Sequence, residues 1–214
     1  MGKVVVDITM SLDGFVAGPN PTLEEPLGAS GEQLHEWAVE SEDWRARHGL
    51  EGGEASVDSD VIREAFSSIG AVIMGRRMFS GGSGGWEADP RSRGWWGDDP
   101  PFHTAVYVLT HHAREPEEMA GGTTFYFVTD GAEVALEEAR AAAAERDISI
   151  AGGAHVVQQY LQAGLVDQMQ VHVAPLLLGG GTRLFGEGGE PIKLEATRVL
   201  SSPRAAHLRY DLRS

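Results

Sequence analysis

Residues 148–165 read I-S-I-A-G-G-A-H-V-V-Q-Q-Y-L-Q-A-G-L, and this stretch decides the fold that the sequence predicts. It opens with two β-branched isoleucines, which are typical of a buried strand. The apolar residues behind the glycines recur at helical spacing: Val156, Val157, Tyr160 and Leu161. Gly164 stands where helices often end in a left-handed glycine, with Leu165 folding back on Tyr160 in a Schellman ending. The stretch therefore predicts a strand, a glycine pair and a helix.

Gly152 and Gly153 lie between this strand and this helix. Glycines at such a junction let a bulky anion approach the backbone, and the helix start offers unpaired N–H groups and the positive end of its dipole. A pyrophosphate would suit the junction, but a glycine pair between a strand and a helix is also a common tight turn. Both interpretations stay open, because the spaced G-x-G-x-x-G pattern is absent.

Charge and composition exclude several classes of protein. The 214-residue chain has 32 acidic and 17 basic side chains, a formal net charge of −15 at pH 7, which disfavours nucleic acid and anionic membranes as partners. No cysteine is present, so disulfides and thiolate metal sites are excluded. We find no signal peptide and no membrane-spanning apolar run, and expect a cytoplasmic protein with one domain over residues 1–214.

Buried strands alternate with helices along most of the chain. Strand-like segments lie at 3–10, 71–74, 105–110, 124–128, 148–151, 168–173, 192–196 and 206–212. The last two segments are separated by a Ser-Ser-Pro turn, which indicates an antiparallel hairpin. This order predicts an α/β fold with a mixed, mainly parallel sheet flanked by helices and a C-terminal antiparallel hairpin.

The helices have recognisable starts. Ser30 and Gln33 form a capping-box pattern ahead of one helix, whose apolar stripe is Leu34, Trp37, Ala38, Ser41 and Trp44. Asp58 or Ser59 would cap a second helix that Gly70 ends. Asp130 and Glu133 form a capping box for an Ala-rich helix over residues 132–145. The Trp-containing loop 83–101 favours an ordered lid or a subunit contact over a disordered excursion.

Several polar segments follow strands, and ligands of such sheets bind beyond the carboxyl ends of the strands. Arg76 and Arg77 follow a strand and Gly75, where they would hold a phosphate by charge and paired hydrogen bonds, or simply face solvent at a helix start. Asp13 follows the first strand as a possible substrate contact, although it also fits a plain Asp-Gly turn. His155 and His172 have no partner at metal-ligand spacing, so we predict no metal site.

Seven ordered segments resemble the dihydrofolate reductase-like family. They are M-S-L-D-G-F-V-A-G (10–18), V-I-M-G-R-R-M-F (72–79), V-L-T (108–110), V-T-D-G (128–131), A-G-G-A-H-V-V-Q-Q-Y-L (151–161), G-L-V-D (164–167) and P-L-L-L-G-G-G-T-R-L-F (175–185). The pattern is most similar to the branch that contains the reductase domain of bacterial riboflavin biosynthesis. The resemblance implies a sheet flanked by helices with NADPH lying across the strand ends.

The resemblance also implies roles for individual residues. Gly75, Arg76 and Arg77 match the segment near the cofactor phosphates, and Thr110 and His111 match the adenosine-side loop. The pyrophosphate segment corresponds to Gly152, Gly153, Ala154 and His155. Asp13 matches the loop that borders nicotinamide and substrate, where it would contact the substrate or relay a proton.

The resemblance implies an NADP-dependent oxidoreductase similar to 5-amino-6-(5-phosphoribosylamino)uracil reductase, acting as a homodimer on a small heterocyclic or carbonyl-type substrate. The alternative is a nucleotide- or ligand-binding module that turns nothing over, because a fold does not fix a function. Dihydrofolate reduction is a third hypothesis. It is weakened because no acidic residue of the helix after the first loop clearly matches the carboxylate that binds pterin.

Overall fold

The computed structural model describes residues 2–82, 84–186 and 190–212. The α-helices are α1 (Glu36–Val39), α2 (Glu42–Arg47), α3 (Val57–Ser68), α4 (Arg76–Ser80), α5 (Ala132–Ala143) and α6 (Ala154–Gln162). The strands are β1 (Val4–Ser11), β2 (Phe15–Ala17), β3 (Ile69–Gly75), β4 (Ala105–Leu109), β5 (Glu117–Glu118), β6 (Thr124–Val128), β7 (Asp147–Gly152), β8 (Gln168–Ala174), β9 (Thr182–Arg183), β10 (Leu194–Ser201) and β11 (Ala206–Leu212). Short 3-10 helices occupy Gly31–His35, Trp86–Ala88 and Ala120–Gly122.

Nine strands form one mixed sheet in the order β10-β11-β8-β1-β7-β3-β4-β6-β5. The central pairings from β8 to β6 are parallel, and β11 joins the sheet antiparallel to β8. β10 and β11 form the C-terminal antiparallel hairpin. The predicted α/β architecture is therefore confirmed. The short antiparallel pair of β2 and β9 was not predicted.

Helices cover both faces of this sheet. α5 and α6 pack on one face, where the largest core cluster includes Val4, Ile73, Ile150 and Tyr160. The opposite face carries two smaller clusters, one around Phe79 and one beneath α1 and α3. Burial on both faces explains why the central strands read as nearly continuous apolar runs.

The helix after the glycine pair ends as the sequence predicts. Gly164 has a φ of 67°, and its N–H donates to Leu161 O at 3.1 Å. The Leu165 N–H donates to Tyr160 O at 3.0 Å. These two bonds form a Schellman motif, in which a left-handed glycine lets the chain satisfy the last carbonyls of the helix.

The prediction of one continuous helix capped by Ser30 is wrong: Ser30 does not cap a helix, and the segment is divided into shorter helices. Ser30 has a φ of 61° and makes no side-chain capping bond, and the segment behind it is a 3-10 helix followed by the four-residue α1. Ser41 was placed on the apolar stripe, but its side chain accepts a hydrogen bond from the Trp44 N–H and caps α2. A serine that offers its oxygen to the next turn starts a new helix instead of extending the old one.

The predicted caps of two later helices are also wrong. Ser56 precedes α3, while Asp58 and Ser59 lie inside its first turn and are buried. Gly70 does not end this helix, since it lies within β3. Gly131, not Asp130, is the N-cap of α5.

Candidate functional site

Three glycines precede helices at the carboxyl edge of the sheet. Gly75, Gly131 and Gly153 are the N-caps of α4, α5 and α6, which follow β3, β6 and β7. A glycine has no side chain with which to cap the first turn, so the N–H groups there remain available to another acceptor. The carboxyl edge therefore presents bare backbone donors after three of its strands.

The glycine pair and the arginine pair lie together on this edge. β3 and β7 are parallel neighbours, with Met74 opposite Gly152. A Cβ atom on Gly75 would lie 3.7 Å from the backbone nitrogen of Gly153 and 3.0 Å from Cγ2 of Val156. The absence of a side chain at Gly75 thus lets the starts of α4 and α6 pack closely.

The glycine pair has room in front of it. A Cβ atom on Gly153 would have no heavy atom within 4 Å beyond its chain neighbours, and Gly153 is exposed. Gly152 has a φ of 127°, a conformation that favours glycine, and the peptide bond between the two residues is cis. Ala154 is buried beneath the helix start, whereas His155 is exposed on its first turn.

Arg76 and Arg77 diverge although they are adjacent in sequence. The Arg76 side chain is 7% exposed and forms an ion pair with Asp89, a hydrogen bond with Ser80 and a cation–π contact with Trp86. Burial opposes ionisation of Asp89, but hydrogen bonds from Ser80 and Arg76 outweigh it and lower the pKa of that carboxyl. Arg77 is exposed. The charge of Arg76 is thus neutralised internally, which leaves Arg77 as the arginine of the pair that faces solvent.

The same contacts organise the loop that follows. Trp86 donates its indole N–H to the carbonyl of His112 at 2.8 Å and packs edge-on against Phe79 and Phe127. Trp96 packs against Phe102 in the same cluster. Trp86 and Trp96 therefore pack this loop against the core cluster around Phe79.

Thr110 and His111 follow β4 on the same edge. Thr110 is buried, its N–H donates to Val128 O at 3.0 Å, and its hydroxyl accepts from the His112 N–H at 3.2 Å. His111 is exposed. Thr110 therefore shapes the turn, while His111 presents the available side chain.

Asp13 joins two loops at the carboxyl edge. Its Oδ1 accepts from Ser11 Oγ at 2.6 Å and from the Leu178 N–H at 3.1 Å, and its Oδ2 accepts from the Gly179 N–H at 2.8 Å. The bond from Ser11, aided by the two backbone donors, lowers the pKa of Asp13. These contacts favour a loop clamp that stays ionised at neutral pH over a proton relay.

Four side chains that the sequence did not single out as a site form a buried chain, here called the Asp–His–His–Asp chain: Asp7, His172, His207 and Asp58. Asp7 Oδ1 lies 2.9 Å from His172 Nε2, the two histidine Nδ1 atoms lie 2.7 Å apart, and His207 Nε2 lies 2.7 Å from Asp58 Oδ1. Trp37 covers both imidazoles, with ring centroids 4.4 and 5.0 Å away.

His172 lies on the polar face of β8, and this face is largely buried. His172 is 2% exposed, and Gln170 is buried beside it. The sequence pattern that could have indicated this buried pair is the alternation of polar and apolar residues in both strands, because His172 of β8 lies opposite His207 of β11 in the antiparallel register. Two strands with polar residues on the same face can bury those residues against each other when a helix covers them.

Metal ligands and membrane spans were searched in the part of the chain that the structure describes. That part contains no group of three histidine, aspartate or glutamate side chains placed to bind a metal ion. Within the same residues, no helix combines the length and the apolar character needed to cross a bilayer.

Comparison with known proteins places these features in a family context. The model of the RibD C-terminal domain family matches residues 2–208. A Bacillus subtilis (strain 168) protein described as uncharacterised, YyaP, is 22% identical over 217 residues, covering 94% of this chain and 90% of its own.

Two solved structures have the same fold. A putative riboflavin biosynthesis protein from Shewanella sp. PV-4 superposes with a TM-score of 0.65 at 20% identity, covering 99% of both chains. A pyrimidine reductase-like protein from Corynebacterium diphtheriae gives a TM-score of 0.57 at 16% identity, covering 100% of this chain and 92% of the other. The predicted resemblance in fold is confirmed.

Proposed function

The chain belongs to the RibD C-terminal domain family, and we propose on that basis that it is an NADPH-dependent reductase of a small heterocyclic, pyrimidine-like or carbonyl-type substrate. The observation that carries the proposal is the close approach of Gly75 to Gly153, which brings an exposed arginine and a bare glycine backbone to one edge. A phosphorylated dinucleotide needs both features at once.

The glycine pair and the start of α6 would hold the pyrophosphate. Backbone N–H groups at a helix start attract an anion, and the open space before Gly153 lets a phosphate come close. The nine-residue α6 is anchored by buried Val157 and Tyr160, so its first turn is held in place. This rigidity lowers the conformational cost of binding.

Arg77 would bind the additional phosphate that distinguishes NADPH from NADH. Its side chain is exposed at the start of α4, whereas Arg76 already neutralises Asp89. In a chain with a formal charge of −15, an anionic ligand depends on such a local cation. Exposed His111 would contact the adenosine side of the cofactor.

The bound nicotinamide would supply the hydride, and the protein would orient the cofactor and substrate and exclude water. Asp13 would position the loop that borders the substrate by holding the N–H groups of Leu178 and Gly179. Arg183, whose guanidinium lies 4.7 Å over the Phe15 ring, would face the substrate from the same loop region.

A binding module without turnover is the second candidate. It is favoured by Asp13, because a carboxylate engaged by three donors has no hydrogen to give to a substrate. In this case the carboxyl edge would hold the dinucleotide without a reaction.

Two measurements separate these candidates. Thermal unfolding with NADPH and with NADH tests cofactor choice, and we expect a clearly larger rise in Tm with NADPH. Absorbance of reduced nicotinamide is then followed with aminopyrimidines, pterins, dihydrofolate and quinones. Oxidation with aminopyrimidines supports the reductase, whereas binding without oxidation across the panel supports the module. Equal Tm shifts with both cofactors would remove the assignment of Arg77.

A further inference from the structure

The Asp–His–His–Asp chain runs from the middle of β1 to the first turn of α3. Asp7 lines a polar groove between the sheet and the C-terminal half of α3, together with Glu64, Gln170 and Arg209. Asp58 lies in the first turn of α3. Because α3 leads directly into β3 and packs against the sheet, its first turn lies toward the carboxyl edge and its last turn toward the amino edge.

The three contacts of the chain fix the number of its hydrogens. Each contact needs one hydrogen between its two atoms, including the contact between the Nδ1 atoms of His172 and His207. Two neutral imidazoles supply two hydrogens, so the third must come from a carboxylic acid or an additional proton on an imidazole. In every such arrangement the four side chains together carry a net charge of −1.

Burial decides where this charge lies. The Asp58 side chain is 1% exposed, and its Oδ2 is buried without a hydrogen-bond partner. The Asp7 side chain is 25% exposed, and its Oδ2 accepts from Gln170 Nε2 at 3.3 Å. A charge is more costly in the drier position with fewer donors, so the negative charge is favoured at Asp7.

With the negative charge at Asp7, the donor atom of each of the three hydrogen bonds is determined. The Asp58 O–H donates to His207 Nε2, the Nδ1–H of His207 donates to His172 Nδ1, and the Nε2–H of His172 donates to Asp7. Both histidines are then neutral. Burial of His207 agrees, because it is the largest influence on the pKa of that imidazole and lowers it.

The charged and titratable groups around the Asp–His–His–Asp chain do not oppose this arrangement of hydrogens. Burial and nearby His172 lower the pKa of His35, in the 3-10 helix before α1, to about 4, so His35 is neutral at pH 7. Arg209 of β11 is held by Glu64 of α3 and by Gln170. Arg204, in the turn before β11, pairs with Glu54 and acts on Asp58 only through space.

We propose that the Asp–His–His–Asp chain is a proton shuttle that moves one negative charge between Asp7 and Asp58. Asp58 gives its hydrogen to His207 Nε2, His207 gives its Nδ1 hydrogen to His172 Nδ1, and His172 gives its Nε2 hydrogen to Asp7. Three hydrogens shift, no proton enters or leaves, and the charge appears at the other end. The groove and the start of α3 are thereby coupled.

The shuttle would serve a ligand at the carboxyl edge. Because Oδ2 of Asp58 is buried, a cation bound beside the first turn of α3 would act through space, and it would favour the arrangement with the charge at Asp58. This use rests on the proposed function, because it places the substrate at that edge. The shuttle itself does not depend on the reaction.

NMR of the 214-residue chain tests the resting arrangement without any turnover. Long-range ¹H–¹⁵N spectra identify the protonated nitrogen of each imidazole, and ¹³C shifts of the carboxyl carbons separate acid from carboxylate. At neutral pH we expect Nε2–H on His172, Nδ1–H on His207, the acid form of Asp58 and the carboxylate form of Asp7. An imidazolium at either histidine, or carboxylates at both ends, would overturn the proposal. Assignment through backbone connectivities needs no variant.

Asp7→Asn tests the coupling along the chain. This change removes the charge that favours Nε2–H on His172, so we expect the His207 ring, which does not contact Asp7, to move toward its Nε2–H tautomer. Asp211→Asn is the control, because Asp211 bonds Gln168 on the same face of the sheet and lies outside the chain. An unchanged His207 ring in a folded Asp7→Asn protein contradicts the shuttle. If that variant does not fold, the wild-type tautomers decide alone.

Discussion

Gly75 and Gly153 lie side by side at the carboxyl edge of the sheet, so that a Cβ atom on Gly75 would be 3.7 Å from the Gly153 nitrogen. The parallel pairing of β3 with β7 produces this approach, because both strands end at the same level. The exposed Arg77 therefore follows, two residues after Gly75, on the same edge as the bare backbone of the glycine pair. An arrangement on opposite sides of the molecule would have contradicted the cofactor hypothesis.

Gly153→Ala separates cofactor binding from stability. Gly153 has a φ of −70°, and its Cβ would meet no atom within 4 Å, so we expect the Tm to stay near that of the wild type. The new methyl group would occupy the space through which the pyrophosphate approaches. NADPH binding, measured by calorimetry, should weaken at least about tenfold, or about 1.4 kcal/mol.

Gly152→Ala is the contrasting control for that experiment. Gly152 has a φ of 127°, where a side chain is strained, so this variant should lose about 1–3 kcal/mol of unfolding free energy. Undiminished NADPH affinity in Gly153→Ala would show that the pyrophosphate does not approach the glycine pair.

Arg77→Gln should weaken NADPH binding while leaving NADH binding nearly unchanged. A charged hydrogen bond contributes about 1.5–3 kcal/mol, which corresponds to roughly a 10- to 150-fold change in Kd. Arg146→Gln serves as the control, because Arg146 is an exposed arginine beside the start of β3, at the opposite edge of the sheet. An equal loss for both cofactors would mean that Arg77 does not distinguish them.

The fold could be predicted because its central strands carry strong local signals. The run from Ile148 to the glycine pair and the periodic residues of α6 gave a strand, a junction and a helix ending that the structure confirms. The region around Ser30 could not be predicted in the same way. Its apolar stripe fits one long helix and several short helices equally well. The Ser41 side chain selects the short helices, because it accepts a hydrogen bond from the Trp44 N–H and so starts α2.

The part of the candidate site at the carboxyl edge of the sheet could be predicted from the sequence, but the buried polar contacts could not. Strand ends on one edge bring Gly75 and Gly153 together through topology alone. Arg76 is buried because it pairs with Asp89, which lies thirteen residues later in a loop whose sequence has no helix or strand pattern. The pairing of His172 with His207 depends on the register between β8 and β11, which the alternation within each strand alone does not specify.

Arg76→Gln should destabilise the protein more than it changes cofactor binding. The side chains of Arg76 and Asp89 are 7% and 3% exposed, and removal of the arginine leaves a buried carboxylate without its cation. Breaking a buried ion pair costs about 3–5 kcal/mol, which urea unfolding would measure. The double variant Arg76→Gln with Asp89→Asn should recover part of that loss because no charge stays buried. A single variant as stable as the wild type would contradict the buried pair.

Acid should destabilise the protein through His35. Burial, with nearby His172 in addition, lowers the pKa of His35 to about 4, and its Nδ1 is buried without a partner. Between about pH 6.5 and 4, the His35 imidazole is protonated in the unfolded chain and neutral in the folded chain. The free energy of unfolding therefore falls as the pH drops through this range. The difference of roughly 2.5 pH units corresponds to about 3 kcal/mol.

His35→Gln removes this titration and should flatten the dependence of the urea midpoint on pH over that range. Part of the slope should remain, because the pKa of buried His207 is lowered as well. His111→Gln, at an exposed position, should leave the slope as in the wild type. A His35→Gln protein that loses stability in acid as steeply as the wild type would show that His35 accepts its proton in the folded state.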